Sequence, residues 1–207
     1  MYKYFFKRVI DFVIVLCVLL VIWPVLLVIT IGLHFANKGA GAFFTQERPG
    51  KGGKIFKVIK FKSMTDEKDE NGKLLPDAQR ITKVGRLVRV TSIDELPQLI
   101  NVLKGDMALI GPRPLLTRYL PYYTEVEAHR HDVRPGITGY AQCHGRNNVT
   151  WDEKLSMDVY YVNNLSFKLD CGIILTTIKQ VIKRSDVSVI NNEGPFDLYR
   201  KQQLEKE

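Results

Sequence analysis

At 207 residues, 45% of them apolar, the chain is long enough to bury the core of one domain and too short for two large ones. Its formal charge of +8 is concentrated: residues 1–64 hold 10 Lys and Arg against 2 Asp and Glu, whereas residues 65–207 hold 20 of each. A charge-neutral folded portion argues against nucleic-acid binding, and Cys17, Cys143 and Cys171, widely spaced and without a C-x-x-C pattern, argue against a disulfide framework or a zinc site.

Residues 12–37, FVIVLCVLLVIWPVLLVITIGLHFAN, contain no Asp, Glu, Lys or Arg. As straight helix this run would reach roughly 39 Å, against a hydrocarbon core of roughly 30 Å. It reads as a membrane segment, too long for a cleavable signal peptide and followed by no small-x-small site. Two features oppose a simple span. Trp23-Pro24 lies at its middle, where proline removes a helical hydrogen bond. Lys3, Lys7 and Arg8 precede it and Lys38, Arg48, Lys51 and Lys54 follow it, so the preference of cations for one side pulls both ends the same way. A re-entrant helix-break-helix satisfies both flanks; a tilted, kinked span is the alternative. The basic flanks suit anionic phospholipid headgroups.

Residues 42–46 and 55–61 alternate or run apolar like the strands of a hairpin, joined by the Gly/Lys-rich turn Arg48-Pro49-Gly50-Lys51-Gly52-Gly53. That turn lacks the order of a nucleotide-binding P-loop. Residues 65–78 are polar and turn-rich, an exposed loop with at most one helical turn.

Next comes Arg89 to Pro114, RVTSIDELPQLINVLKGDMALIGPRP, which opens with Asp94 and Glu95. Ile93, Leu96, Leu99, Ile100 and Leu103 form the apolar stripe of a helix, ended by Lys104-Gly105-Asp106. Ser92-Ile93-Asp94-Glu95 fits a capping box, but Pro97 would then fall beyond the first turn, where its missing N–H is costly. Pro97 is better placed at the first helical position, which puts both acids just before the helix. Cap and catalytic pair both remain open on this local pattern. Residues 107–110 read as a short strand, and Pro112-Arg113-Pro114 as a stiff turn presenting one guanidinium.

Residues 115–131 read as one helix, with His129-Arg130-His131 on its surface. Arg134, beside Pro135-Gly136, and Arg146 add guanidiniums able to hold phosphate oxygens. Residues 151–162 and 171–184 read as helices, and residues 188–207 as a mobile tail. The fold class expected is mixed α/β, helix-rich. Its division is a membrane element over 1–37, a catalytic domain with short strands and surface amphipathic helices over 38–187, and a tail over 188–207.

A membrane insertion, an acid pair before a helix and several arginines suggest phosphate chemistry at a lipid surface. Asp94 could attack phosphorus to give an acyl phosphate, and a diphosphate substrate would call for Mg²⁺ at its leaving group. Adjacent residues at a helix start do not face each other, so separate roles are expected for the two acids.

The runs DELPQLINVLKGDMALIGPRP, FTQERPGKGGKIFKVIKFKSM and VRPGITGYAQCHGRN, with Lys7-Arg8 before the membrane segment, resemble the monotopic phosphoglycosyl transferases, also called bacterial sugar transferases, in their minimal form. The resemblance covers nearly all of residues 3–187. It implies transfer of a sugar phosphate from a UDP-sugar, an N-acetylated hexosamine by the closest likeness, to polyprenyl phosphate, with release of UMP, at the cytoplasmic face of a bacterial inner membrane. It implies Asp94 as nucleophile and Mg²⁺ contact, with Glu95 its essential partner. Pro112, Arg113 and Pro114 fall where the family binds the nucleotide-sugar, and Arg146 at a phosphate-contacting position. Lys60, Arg89 and Asp170 occupy further functional positions, Arg89 being the candidate for the polyprenyl phosphate headgroup. The family's membrane helix breaks at a Ser-Pro pair; here Trp23 precedes Pro24, so no serine hydroxyl is available there. Tyr140 stands where tryptophan is common. Homo-oligomerisation is left open. The rivals are direct attack by the lipid phosphate in a ternary complex, and a noncatalytic membrane-anchored scaffold.

Overall fold

The apolar run and the residues before it form one long helical element in the computed structural model, which describes residues 1–145, 149–183 and 193–205, with side chains for all but 181–183. A short π-helical turn, Tyr2–Phe6, leads into α1, Lys7–Ala36, a single helix that runs through Pro24 without the expected break at Trp23-Pro24. Along α1 one stripe packs on the rest of the molecule: Val15, Leu19 and Ile22 join Val58, Leu99 and Met107, whereas Leu26, Ile29 and Leu33 join Phe61 and Val88. The spacing of four, three, four, three and four is that of a single helix face. Most of the remaining surface of α1 is exposed apolar side chain, as for Leu20, Val21 and Val28, a surface that water alone disfavours.

The expected hairpin is present: β1 (Phe43–Pro49) pairs antiparallel with β2 (Ile55–Phe61), in the register Phe43 with Phe61 and Phe44 with Lys60. One short helix, α2 (Asp77–Arg80), punctuates the polar loop, and α3 (Lys83–Val90) follows, capped by the Thr82 side chain. After the acid pair come α4 (Gln98–Lys104) and β3 (Ala108–Ile110). Gly105 ends α4 at φ 92°, a left-handed conformation that glycine adopts without penalty.

Residues 115–131 do not make the single helix that their composition suggests. They form a 3-10 stretch, Thr117–Tyr122, with Pro121 inside it, then α5 (Glu125–Ala128) and a further 3-10 turn, His129–His131. Pro121 cannot donate a helical bond, and Thr124 restarts the helix with a capping box closed by Glu127. β4 (Gly136–Thr138) then pairs parallel with β3, and a Cβ on Gly136 would lie 2.1 Å from the Gly111 nitrogen, so only glycine permits this approach. α6 (Tyr140–His144), α7 (Trp151–Asn163) and α8 (Phe167–Lys183) complete the domain, α8 beginning four residues before the expected start.

The tail is not loose over its described part. α9 (Phe196–Leu204) docks through Phe196, which is fully buried among Tyr119, Tyr123 and Trp151. Its apolar periodicity is weak, and a single aromatic anchor does what a stripe would do elsewhere.

Candidate active site

The acid pair sits in a tight turn rather than in a capping box. Ser92 takes a left-handed conformation, φ 55°, and its side chain caps nothing. Ile93–Glu95 form a 3-10 turn and Pro97 is the N-cap of α4, one position before the place that its chemistry predicts. A non-glycine residue at positive φ costs on the order of 1 kcal/mol. Here it turns both acids toward the hairpin.

Asn101, one of the most buried residues, fastens α4 to β2: its Oδ1 accepts from Ile59 N at 3.0 Å and its Nδ2 donates to Lys57 O at 2.8 Å. Lys60, next along β2, therefore lies beside the start of α4. Its Nζ donates to Glu95 Oε1 at 2.6 Å, and the Arg113 guanidinium reaches the same carboxylate at 2.6 Å to Oε1 and 3.4 Å to Oε2. Arg113 is delivered by the turn after β3. Behind it Arg130, 2% exposed, donates to Arg113 O at 2.8 Å and to Asp158 Oδ2 through Nε (3.1 Å) and Nη2 (2.7 Å). The expectation that Arg130 is a surface residue is thus wrong. Asp158 shares the buried face of α7 with Trp151, Leu155 and Val162, and an acid on a buried stripe requires a buried cation.

This framework treats the two acids differently. Burial raises Glu95, but Arg113 and Lys60 outweigh it and hold the carboxyl at about 2. Asp94 has no hydrogen bond or ion pair to another residue's side chain among the described residues; burial and the adjacent Glu95 charge push it above the ordinary aspartate value, with Lys60, Arg89 and its own backbone N–H pulling it back. Glu95 is thus a committed anion that fixes two cations, and Asp94 is a carboxylate with unused lone pairs. Among the described residues no three His, Cys, Asp or Glu side chains form a metal cage. A Mg²⁺ ion shared between one carboxylate and substrate phosphates needs no such cage.

The other expected site residues divide. Arg89, in the last turn of α3, is exposed and acts electrostatically on Asp94. Pro112 is buried, and Arg113 and Pro114 are partly exposed. Arg134 does not join the acid pair: its Nε donates to Gly105 O at 2.7 Å, past the far end of α4. Asp170, 3% exposed, accepts from Tyr2 (2.6 Å), Lys7 (2.8 Å) and Tyr161 (2.8 Å), and so ties the start of α1 to α7 and α8. Pro24 is exposed in mid α1, and Arg146 lies outside the described residues. Sequence reasoning missed Asn101, Asp158 and Lys154. The Nζ of Lys154 lies 4.6 Å from the Trp151 ring centroid; burial brings it down to about 8, with Asp158 opposing and Arg130 and Arg113 assisting.

Residues 2–184 match the family described as bacterial sugar transferase. The chain is 52% identical over 168 residues to a Bacillus subtilis protein described as an uncharacterized sugar transferase, EpsL, a match covering 81% of this chain and 83% of that one. It is 38% identical over 197 residues to the undecaprenyl-phosphate galactose phosphotransferase of Salmonella typhimurium, covering 87% of this chain and 41% of the relative. The Aeromonas hydrophila UDP-N-acetylgalactosamine-undecaprenyl-phosphate N-acetylgalactosaminephosphotransferase is 37% identical over 190 residues, with 86% of this chain and 44% of the relative covered. The chain therefore spans less than half the length of the latter two.

Proposed function

This chain belongs to the bacterial sugar transferase family, and we propose that it transfers a sugar 1-phosphate from a UDP-sugar to polyprenyl phosphate, undecaprenyl phosphate in bacteria, releasing UMP. The observation that carries this reading is the asymmetry of the acid pair: Glu95 holds Lys60 and Arg113, while Asp94 beside it is held by no cation. Lys60 and Arg113 are placed to receive a diphosphate, and Arg113 presents the planar fork suited to phosphate oxygens.

The reaction runs in two displacements. A carboxylate oxygen of Asp94 attacks the phosphorus that bears the sugar; the bond from that phosphorus to the bridging oxygen breaks, and UMP leaves with the electron pair. The phosphate oxygen of the polyprenyl phosphate then attacks the same phosphorus, the acyl-phosphate bond breaks, and Asp94 returns as a carboxylate. Mg²⁺ fits this donor set, with Asp94 and donor phosphate oxygens as hard ligands, and when bound it offsets charge at the leaving phosphate. Incubating the protein with UDP-sugar alone tests the scheme: release of about one UMP per chain and a sugar-phosphate adduct on Asp94 are expected. Absence of both, with full turnover once the lipid is added, would replace this scheme by direct transfer in a ternary complex; an Asp94→Asn variant with normal turnover would leave only a noncatalytic scaffold. The N-acetylated hexosamine implied by the resemblance is tested by UMP release across glucose, galactose and their 2-acetamido UDP-sugars.

We further propose that α1 is re-entrant, with the domain on the cytoplasmic face of the inner membrane. Support comes from its two ends, both fastened to the same domain: Arg8 donates to Val102 O and Leu103 O, and the fully buried Asn37 donates to Gly41 O and Lys62 O. A spanning helix would carry its ends to opposite faces. In a Cys17→Ser background, cysteines at Tyr4 and Lys38 should label from the same side of the membrane, and labelling from opposite sides would make the helix a span.

A further inference from the structure

A cleft under the start of α1 gathers five basic side chains, Lys3, Lys7, Arg8, Lys51 and Arg134, against two acids, Asp11 and Asp132. The acids are already engaged. Asp11 Oδ2 lies 3.6 Å from Lys7 Nζ and accepts from Leu109 N at 3.4 Å, and Asp132 bonds His129 Nδ1 at 2.8 Å. Lys7 is in turn bound to Asp170 at 2.8 Å. Among the described residues this leaves Lys3, Arg8, Lys51 and Arg134 without a carboxylate in ion-pair contact.

Part of this charge caps α4. Arg8 donates to Val102 O and Leu103 O, and Arg134 to Gly105 O, so the two guanidiniums face the negative end of the helix dipole. Capping does not exhaust them. A guanidinium carries five donors, and Arg134 spends one of them on protein. The Lys51 side chain is exposed, with no bonded partner among the described residues, and Lys3 makes one 3.5 Å contact, to Val162 O. The free donors come from three separate segments, namely the start of α1, the turn between β1 and β2, and the segment leading into β4. Together they form a cationic cradle of the kind that takes a phosphate.

The mouth of the cleft indicates what carries that phosphate. Tyr4 lines it, and Tyr4, Phe5 and Phe6 are 80%, 63% and 47% exposed just ahead of the membrane segment. Exposed aromatics at such a junction settle among headgroups, which sets the cleft at headgroup depth. It cannot be where the polyprenyl phosphate meets Asp94, because it lies past the C-terminal end of α4 while Asp94 precedes the N-terminal end, about 10 Å of helix away.

We propose that this cleft is a second phosphate site, which binds the phosphodiester headgroup of an anionic membrane phospholipid through Lys3, Arg8, Lys51 and Arg134 and pins the entry of α1 to the domain. The proposal rests on α1 lying in the membrane, and co-elution of the protein with nanodiscs tests that premise separately. The full chain is reconstituted in phosphatidylcholine nanodiscs with a minority of phosphatidylglycerol, extracted, and its retained lipid identified by mass spectrometry. Wild type should retain phosphatidylglycerol over phosphatidylcholine. A Lys3→Gln/Lys51→Gln variant should lose that preference at least about tenfold, Lys3→Arg/Lys51→Arg should keep it, and UMP release from UDP-sugar should be unchanged in both. A Lys54→Gln/Lys57→Gln control, which removes as much charge from the neighbouring hairpin, should retain the lipid. Equal retention of the two lipids by wild type, an equal loss in the control, or displacement of the lipid by inorganic phosphate at matching concentration would each overturn the proposal.

Discussion

Glu95 and Asp170 are built from similar parts, since each carboxylate holds a lysine and at least one further donor, yet they sit in different surroundings. Asp170 has both oxygens filled from inside the protein, by Tyr2, Lys7 and Tyr161, and the neighbouring Asp11 also faces Lys7 at 3.6 Å. Glu95 is partly open to solvent, its side chain 18% exposed, and the acid beside it has no cation of its own. A charge network in which both carboxylate oxygens are engaged from within the protein holds elements together. One that fixes two cations and leaves an adjacent carboxylate unspent is arranged for a ligand. Ion pairing alone does not separate the two cases; the unspent group does.

The sharpest break in that comparison comes from the same substitution made in both places. Asp94→Asn should lower UMP release at least about 10³-fold, with no fall in thermal midpoint, because no protein partner is lost and a carboxylate disfavoured by burial and by Glu95 is removed. Asp170→Asn removes the closer anion of the buried Lys7, leaving only Asp11 at 3.6 Å, and should cost about 3–5 kcal/mol. For a chain of this size that is on the order of a 10 °C fall in midpoint. Thermal unfolding and initial rates on both variants check this, and a destabilised Asp94→Asn would place Asp94 in the structural class.

Glu95→Gln probes the coupling between the acids. Removing its charge takes away one cause of the raised Asp94 carboxyl and leaves Lys60 and Arg113 free to turn to Asp94. In the proposed scheme Asp94 reacts as the anion, so the acid limb of the rate profile should move to lower pH, while the rate on its plateau falls on the order of 10²-fold through lost positioning. Stability reports the other half. Glu95 is depressed from 4.5 to about 2 in the folded protein, so its contribution is complete above pH 4.5 and disappears as pH falls toward 2. The variant should lack that acid-side loss, as pH-dependent denaturation would show.

How much of this is legible in the sequence depends on the range of the interaction. The charge-free run, the hairpin, and the placing of Pro97 and the acids outside a capping box are local, and the periods and turn residues encode them. Pro121 was legible too, and it accounts for the broken helix between 115 and 131. The pairs that prop the site are not local: Arg130 finds Asp158 across 28 positions and Lys7 finds Asp170 across 163. A single sequence flags only that a buried-face acid such as Asp158 needs some cation. Arg134 shows the converse error, since a guanidinium on a Gly/Pro loop suggests phosphate, and packing sends it to the carbonyl end of α4.

Tyr161→Phe is the mildest test and the one that decides whether the two networks are separate. Its hydroxyl lies 2.8 Å from Asp170 Oδ1 and 3.1 Å from Ile110 O, and Ile110 ends the strand that delivers Pro112 and Arg113. Loss of this buried bond should cost about 1–3 kcal/mol, a fall of several degrees in midpoint. If the clamp only secures α1, the KM for UDP-sugar stays at the wild-type value. A KM that rises in step with the lost stability would mean that Ile110 passes the disturbance to Arg113, so that the clamp and the site form one network joined through β3.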